Sequence, residues 1–459
     1  MGVKREVLAL VLMVCLMFSS VLMSCGNSGG NQDQATTQEA GQSDSQLAES
    51  QNGNSEKTKL RVAWWGNSER DQLMYAINDL FMKEHPDVEI VTESPGWDDY
   101  WVNQATAFAS GSAADVVQFQ SNQFGEYASK GVLTPLESYI ESGIIDLDNW
   151  NMDLVNTGIY NDNLYFLTCG VTAQSLFVNE TLLKETGIKL WDFEEDITWS
   201  EFEAYLNELQ SKLPADTYAG FDFYSNNDLI WVWIRQHSTD GYEWVDSEGK
   251  FAPSLETLSS WFDISQRLRQ SSAFPNVEWT TEWNTKAWQE GALVSRKVVF
   301  FFENANKYKI YQNNVEDNIE LRKVPISDED KAGDLIISSA WGIPETSKNK
   351  ELAAEYINFF NNNVEAQKIY NMEIGVPGSL TIQEILAKTA DPSDIIAMDY
   401  MNMIAETAPA FIAKAPGVWA IQDSIRSAAE MVAFGNMTPA EAAEHIIQTA
   451  NDVIAENAK

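Results

Sequence analysis

Strand and helix patterns alternate along residues 60–119, and this order constrains the fold more than any other feature of the sequence. Short β-type runs and amphipathic helical runs follow one another without a long gap. In chain order they are a strand at Leu60–Trp64, a helix from Ser68 to before Pro86, a strand at Val88–Val91, a helix at Trp97–Phe108 and a strand at Ala114–Phe119. The order β-α-β-α-β predicts a parallel sheet with helices on its faces.

Helix-start signals recur further along the chain. A capping box pairs Ser, Thr or Asp at the cap with an acidic residue three positions later. Three pairs have this spacing: Ser68 with Asp71, Thr198 with Glu201, and Thr438 with Glu441. Pro439 follows Thr438, and Pro is favoured at the first position of a helix. We therefore expect helices to begin at all three places.

Cysteine usage limits how the body can be held together. The sequence contains three cysteines, Cys15, Cys25 and Cys169. The first two lie in the N-terminal leader, so Cys169 alone remains in the body and no intramolecular disulfide is expected there. Roughly 400 folded residues exceed one comfortable hydrophobic core, which predicts two lobes stabilised by core packing.

The N-terminal 25 residues indicate export. Lys4 and Arg5 precede an apolar run over 7–18, as in a secretory signal peptide. The sequence Leu22-Met23-Ser24-Cys25 resembles a bacterial lipobox, in which the thiol of Cys25 takes a lipid. The alternative is a membrane-spanning helix, although residues 7–23 are only just long enough for one. We expect a lipoprotein signal peptide over 1–24 and an extracytoplasmic protein anchored to the bacterial cell membrane through Cys25.

Residues 25–57 have the composition of a linker. They consist mostly of Gly, Ser, Asn, Gln, Thr, Ala, Asp and Glu, and Leu47 is their only large apolar residue. Such a segment cannot bury enough apolar surface to offset the entropy of ordering it. The composition predicts a lipidated, disordered tether.

Charge and aromatic content narrow the class of partner. The formal net charge is −38, which argues against a nucleic-acid partner and favours a soluble monomer. The sequence also has 16 Trp and 15 Tyr. Amphipathic rings at this density suit stacking on the apolar faces of sugars.

Catalytic and metal patterns are weak. The three histidines, His85, His237 and His445, are far apart and lie in no metalloprotease motif. Residues 146–151 begin like a calcium loop, but Asn151 stands where Gly is required. Acidic pairs such as Asp98-Asp99 could supply the two carboxylates of a glycoside hydrolase. We expect no enzyme activity, no metal and no cofactor.

Several short sequence segments, taken in their order along the chain, suggest a family. They are 81–88 (FMKEHPDV), 97–101 (WDDYW), 109–117 (ASGSAADVV), 128–136 (ASKGVLTPL), 164–179 (LYFLTCGVTAQSLFVN), 198–202 (TWSEF), 347–353 (SKNKELA) and 438–443 (TPAEAA). In this order they resemble the family 1 extracellular solute-binding proteins, which are substrate receptors of ABC importers for sugars. Asn306 stands where that family often has a sugar-stacking Trp.

The resemblance implies an α/β fold of two lobes, each a mixed, mainly parallel sheet flanked by helices, with ligand in the cleft between them. It places residues 58–170 and about 315–340 in lobe 1, and residues 171–314 and about 341–459 in lobe 2. It also implies two partners, a carbohydrate and the transmembrane permease subunits of an ABC importer.

Ligands of open α/β sheets sit beyond the carboxyl ends of the strands, and this rule selects candidate binding residues. The candidates are Trp64, Trp65 and Glu69 after the first strand, Gln120, Asn122 and Gln123 after the third, Thr172 at a crossing, Glu303 and Asn304 after a later apolar run, and Trp231, Trp233, Trp341 and Trp419. Trp231 and Trp233 are two positions apart, so we expect one of them to face away.

The sequence therefore predicts a lipid-anchored receptor that closes its lobes around a carbohydrate, expected to be an oligosaccharide. A membrane-tethered glycoside hydrolase and a structural adhesion lipoprotein are the alternatives.

Overall fold

The computed structural model describes residues 57–238, 244–246, 248–409, 411, 413–414 and 416–457. The predicted signal peptide, the lipid site at Cys25 and all of the predicted linker except Lys57 lie outside the described residues. Among the described residues, no helix is both long and apolar enough to cross a membrane.

Ten strands and seventeen helices make up the described body. The strands are β1 (Thr58–Ala63), β2 (Val88–Glu93), β3 (Val116–Gln120), β4 (Ile159–Tyr160), β5 (Asn163–Leu164), β6 (Leu167–Asn179), β7 (Tyr218–Gly220), β8 (Val298–Asn304), β9 (Ile319–Arg322) and β10 (Ile336–Gly342). The helices are α1 (Ser68–Glu84), α2 (Trp97–Ser110), α3 (Phe124–Ala128), α4 (Glu137–Glu141), α5 (Met152–Asn156), α6 (Glu180–Glu185), α7 (Trp199–Gln210), α8 (Asn227–Gln236), α9 (Leu255–Gln270), α10 (Val277–Asn284), α11 (Tyr308–Gln312), α12 (Lys350–Asn362), α13 (Val364–Tyr370), α14 (Leu380–Ala387), α15 (Pro392–Thr407), α16 (Val418–Ala433) and α17 (Pro439–Asn457).

Eight strands form one mixed sheet, in the order β2-β1-β3-β10-β6-β8-β7, with β9 also paired to β6. β1 pairs in parallel with β2 and β3, as the alternation of strands and helices predicts. β10 runs antiparallel to β3 and to the first half of β6, and the second half of β6 pairs with β8 and β9. The predicted mixed α/β fold is confirmed.

Three hydrophobic clusters fill the body, and β6 contributes to all of them. The first cluster contains Leu60, Phe119 and Cys169, the second contains Leu176 and Trp231, and the third contains Phe177 and Tyr400. Alternate residues of a strand point to opposite faces, so Leu176 and Phe177 enter different clusters. We call the body around the first cluster lobe 1, and that around the second and third clusters lobe 2.

β6 and β10 pass side by side from one lobe to the other. Thr172 of β6 is paired with Ile337 of β10 at this level, which we call the junction. After the junction, β10 ends in the first cluster with Ala340 and Trp341. In the other direction, β6 continues past the junction into the second and third clusters.

Two segments pack in the lobes opposite to those predicted. Residues 319–337 contribute Leu321 and Ile336 to the third cluster, whereas residues 340–374 contribute Trp341 and Tyr356 to the first. The reason is the direction of β10, which enters lobe 1 as it runs from Ile336 to Gly342 and so carries the following helices there.

The helix caps agree with the sequence in two of three cases. Thr198 and Glu201 form a capping box. Thr438 and Glu441 form another, in which the backbone N–H of each residue donates to the side-chain oxygen of the other. At α1 the predicted Ser68–Asp71 box is wrong. Asn67 is the cap there, because its side-chain oxygen accepts from the backbone N–H of Glu69 and of Arg70.

Candidate functional site

The turn after β3 places amide side chains at the junction. The strand ends at Gln120 and continues into a 3-10 turn over Ser121–Gln123. Asn122 and Gln123 are buried, and Ser121 Oγ accepts from the backbone N–H of Ser338 on β10 at 3.3 Å. The third-strand candidates therefore lie beside the strands that cross between the lobes.

A second set of amides lies at the end of β8. Gln174 of β6 is paired in register with Asn304, and Gln174 Nε2 donates to Asn304 Oδ1 at 2.6 Å. Asn226 Nδ2 donates to Gln174 Oε1 at 3.1 Å, while Asn226 Oδ1 caps the start of α8. This network fixes three amides where two strands and a helix meet.

Thr172 connects the crossing strand to the turn after β8. Its hydroxyl oxygen accepts from the backbone N–H of Asn306 at 3.1 Å. Thr172 and Gln174 are two positions apart on β6, so their side chains point to the same face. The crossing candidate thus lies on the face that carries the amide network.

Lys414 connects the turn after β3 to α8. Its Nζ donates to Asn122 Oδ1 at 2.8 Å and lies 4.4 Å from the centre of the Trp231 ring. A lysine is rarely buried without partners, and only 6% of Lys414 is exposed. The ammonium therefore ties lobe 1, through Asn122, to lobe 2, through Trp231.

Asp228 lies one turn before Trp231 on α8, at a spacing that puts both on one helix face. Burial raises the pKa of Asp228, against the opposing effects of the Lys414 ammonium and a hydrogen bond from the Asn304 side chain. The carboxylate, the ammonium and the amide network therefore share one polar region.

Glu303 is the other predicted carboxylate of the site. Its Oε1 accepts from Lys307 Nζ at 3.0 Å and from the backbone N–H of Asn304 at 2.8 Å. Glu303 and Asn226 line one cavity of about 210 Å³ at the ends of β7 and β8. The side chain is thus near the amide network and already paired with a cation.

Aromatic rings flank the amides of the β3 turn. Trp419 is 38% exposed, and its ring centre lies 6.3 Å from that of Trp97. With the Gln123 amide oriented to present its oxygen, Trp419 Nε1 donates to it at 2.8 Å. Trp97 packs edge-on against Trp65 at 5.2 Å. Trp419 therefore offers an accessible ring beside the polar region.

Three predicted contacts are not brought to this region. Trp341 is fully buried in the first cluster, edge-on to Phe360 at 5.2 Å, so the predicted stacking role is wrong. Trp64 is also fully buried, and its Nε1 donates to Asp71 Oδ1 at 2.9 Å. Glu69 is exposed on α1, and among the described residues no hydrogen bond or ion pair joins its carboxylate to those amides.

Trp231 and Trp233 face different ways, as their spacing predicts. Trp233 Nε1 donates to the carbonyl of Thr257 at 2.8 Å, and its ring packs on Trp199 in the second cluster. Trp231 meets Lys414 and packs on Trp244. Only Trp231 reaches the polar region, and it does so as a buried ring.

Sequence reasoning missed four members of this region: Gln174, Asn226, Asp228 and Lys414. A cap signal marks Asn226 and Asp228, because Asn at a helix start is a recognisable pattern. Lys414 carries no local signal, since Asn122 lies 292 positions away in sequence and Trp231 lies 183 positions away.

A larger cavity lies on the opposite side of the crossing strand. Its volume is about 440 Å³, and its walls include Val171, Asn306 and Lys309. Met372 in the same wall has φ 59°, a left-handed conformation that is uncommon for a side chain of this size. The junction therefore contains a cavity beside Asn306.

Groups suited to catalysis are poorly placed among the described residues. Burial raises the pKa of Cys169 to about 12, so its thiol stays protonated at neutral pH. Within the described ranges, no cluster of three or more His, Cys, Asp or Glu side chains could hold a metal ion. The region offers hydrogen-bonding amides, rings and paired charges, which suit binding.

Comparisons with known proteins agree with the fold. A sequence model described as bacterial extracellular solute-binding protein matches residues 66–367. Among solved structures, a periplasmic solute binding protein from Pectobacterium atrosepticum has a TM-score of 0.75 at 20% identity, covering 88% of this chain and 100% of its own.

Two further solved structures carry sugars. A periplasmic oligogalacturonide binding protein from Yersinia enterocolitica, in complex with saturated digalacturonic acid, has a TM-score of 0.72 at 21% identity over 88% of this chain and 100% of its own. An ABC substrate-binding protein from Listeria monocytogenes, in complex with cycloalternan, has a TM-score of 0.70 at 19% identity over 87% and 99%. These likenesses show a shared two-lobed fold.

Proposed function

This chain belongs to the family of bacterial extracellular solute-binding proteins, and on that premise we propose that it captures an oligosaccharide between its two lobes for an ABC importer. The single observation that carries the proposal is that Lys414 contacts Asn122 of lobe 1, while Asp228, which interacts with the Lys414 ammonium, is hydrogen-bonded to Asn304 of lobe 2. Asn122 comes from the turn after β3, and the network of Gln174, Asn226 and Asn304 comes from lobe 2.

The chemistry of these groups matches sugar hydroxyls. Each amide carries both a donor and an acceptor, as does each hydroxyl, so a ring of amides can satisfy a polyol without net charge. Trp419 supplies an accessible apolar face beside Gln123. The solved relatives that hold digalacturonic acid and cycloalternan support an oligosaccharide as the ligand class.

Lobe closure follows from the connections. β6 and β10 cross between the lobes, so bending at the junction would bring the amides of lobe 1 and lobe 2 around a ligand. A permease that contacts both lobes would recognise the closed form. The proposed receptor is monomeric and anchored through a lipid on Cys25.

Calorimetry with purified body residues 58–459 tests the proposal. A panel of oligosaccharides is first screened by thermal shift, since a ligand at 100 times its Kd adds ~2.7 kcal/mol of stability. For the best ligand, Asn122→Ala and Asn304→Ala should each weaken binding roughly ten- to a hundredfold, because each removes a hydrogen-bonding partner worth ~1–3 kcal/mol.

Asn314→Ala is the matched control, because Asn314 is exposed and its amide bonds only the carbonyl of Ile310 among the described residues. It should leave affinity unchanged. Parent-like affinity in both Asn122→Ala and Asn304→Ala would contradict the proposed site. Absence of any sugar-dependent stabilisation would contradict the proposed function.

Asp228 and Glu303 give the glycoside hydrolase alternative its one specific support, because they are two carboxylates in one polar region and one has a raised pKa. Both are already engaged, Glu303 with Lys307 and Asp228 with Asn304. A receptor returns its ligand intact, so chromatography of the sugar after long incubation separates the two functions.

A further inference from the structure

Cations in and around the polar region are matched by carboxylates. Five described cations contact predicted site residues or line the cavity beside Asn306: Arg70, Lys307, Lys309, Lys368 and Lys414. The charge partners of the first four are Glu373 for Arg70 at 3.4 Å, Glu303 for Lys307 at 3.0 Å, Asp391 and Asp394 for Lys309 at 2.7 and 2.6 Å, and Glu365 for Lys368 at 2.9 Å.

Lys414 is the most buried of the five. Its ammonium is committed to Asn122 at 2.8 Å and to the face of Trp231 at 4.4 Å. Asp228, one helical turn before Trp231, supplies the opposite charge. A buried ammonium with a carboxylate beside it has no charge left to offer a second anion.

From this charge balance we propose that the site selects uncharged oligosaccharides and discriminates against uronates of the same size. This inference rests on the proposed function and names the substrate class of the same site. A uronate carboxylate placed there would meet Asp228 and Glu303 without an uncommitted cation among those five. Like charges at close range in a poorly solvated site repel strongly.

The amide network also favours uncharged oligosaccharides, because of its hydrogen-bonding chemistry. Gln174, Asn226 and Asn304 are neutral groups that both donate and accept. A sugar hydroxyl can both donate a hydrogen bond to these amides and accept one from them, whereas a carboxylate can only accept. The net charge of −38 adds a long-range field that lowers the local concentration of anions.

The experiment compares matched sugars on the same protein. Calorimetry measures Kd for neutral di- and trisaccharides and for the uronates of the same linkage, for example galactobiose against digalacturonate. We expect the neutral member of a binding pair to bind at least tenfold more tightly. Equal or tighter binding of the uronate would overturn this inference and leave the proposed function standing.

Asp228→Asn tests the mechanism of discrimination. It removes the carboxylate that balances Lys414 and keeps the shape of the side chain. The affinity ratio of uronate to neutral sugar should rise at least tenfold, and the gain should shrink as salt is added, since screening weakens a new ion pair. An unchanged ratio would overturn the charge argument.

Glu303→Gln repeats the test at Lys307 if Asp228→Asn does not fold, and the same rise in ratio is expected. Asp452→Asn is the matched control, because Asp452 is exposed on α17 and accepts only from Gln448 among the described residues. It should leave the ratio unchanged. If neither member of any pair binds, the proposed function itself fails, which is distinct from a reversed preference.

Discussion

The Lys414 ammonium lies 2.8 Å from Asn122 Oδ1, which joins two residues 292 positions apart in the sequence. The surrounding backbone is built for this approach. A Cβ on Gly125 would lie 1.8 Å from the carbonyl oxygen of Lys414, so only glycine fits there. Gly417 N donates to Glu126 Oε2 at 3.0 Å. The segment before α16 is therefore held against the turn after β3.

Replacing Lys414 by Met should destabilise the protein by about 3 kcal/mol, because it removes one partner of a buried charge while leaving Asp228 buried. Urea unfolding measures the change. Lys212→Met is the control, since Lys212 forms an exposed pair with Glu208 that contributes about 0.5 kcal/mol or less. Equal losses of unfolding free energy in the two variants would contradict a stabilising charge pair between Lys414 and Asp228.

Trp341→Ala should lower the free energy of unfolding by about 3–5 kcal/mol, because it removes a fully buried ring from the first cluster. The fraction that remains folded should bind sugar with parent affinity. Chemical denaturation and calorimetry on the same sample check both parts. A stable variant with weakened binding would restore Trp341 as a ligand contact.

Trp419→Ala should give the opposite result. The ring is 38% exposed, so its loss should cost little stability and should weaken sugar binding by ~1.5 kcal/mol or more. Trp419→Phe should retain part of the affinity, because a smaller ring can still stack. Steep destabilisation with parent affinity would show that Trp419 is a packing residue.

Asp334 should make stability depend on pH. Burial raises the pKa of Asp334 to about 6, against the effects of Arg235 and Lys323, whereas the unfolded value is about 3.9. Between these values the folded state binds more protons than the unfolded state, so this carboxyl lowers the free energy of unfolding as pH rises.

Asp334→Asn removes that titration. Its stability relative to the parent should therefore rise by about 2–3 kcal/mol from pH 4 to pH 7, a shift of roughly two units at 1.36 kcal/mol each. Urea unfolding of both proteins at each pH measures the difference. Parallel stability curves would show that the carboxyl does not titrate in this window.

Cys25→Ala should abolish lipid attachment in a bacterial host, because the thiol of Cys25 is the lipid acceptor in the predicted lipobox. Labelling with a fatty-acid probe measures attachment, and Cys169→Ala is the control that keeps the lipobox. Unchanged labelling of Cys25→Ala would contradict the predicted anchor.

Local patterns predicted much of the fold. The alternation over residues 60–119 predicted β1 to β3 with their two helices, and the parallel pairing of β1 with β2 and β3 confirms it. The cap at Thr198 was readable because a capping box is complete within four residues. Asn67 replaced Ser68 as the cap of α1 because several polar residues there compete for the same backbone N–H groups.

Burial of single tryptophans could not be predicted in the same way. Trp341 and Trp419 are both aromatic residues near segment ends, yet one is fully buried and the other is 38% exposed. The difference arises from the direction of β10, which carries Trp341 into the first cluster beside Tyr356 and Phe360. Strand direction is a tertiary property, since it depends on pairing with β3 and β6.

The sequence by itself determined the family, the α/β class and the candidates Asn122, Thr172 and Asn304, because strand ends and ordered segments are local patterns. Only the tertiary structure decided which lobe holds residues 340–374 and which charges meet. Lys414, Asp228 and Asn122 come from three distant segments, and their contact depends on how the lobes pack. Electrostatic pairing acts through space, so it leaves no local trace in the sequence.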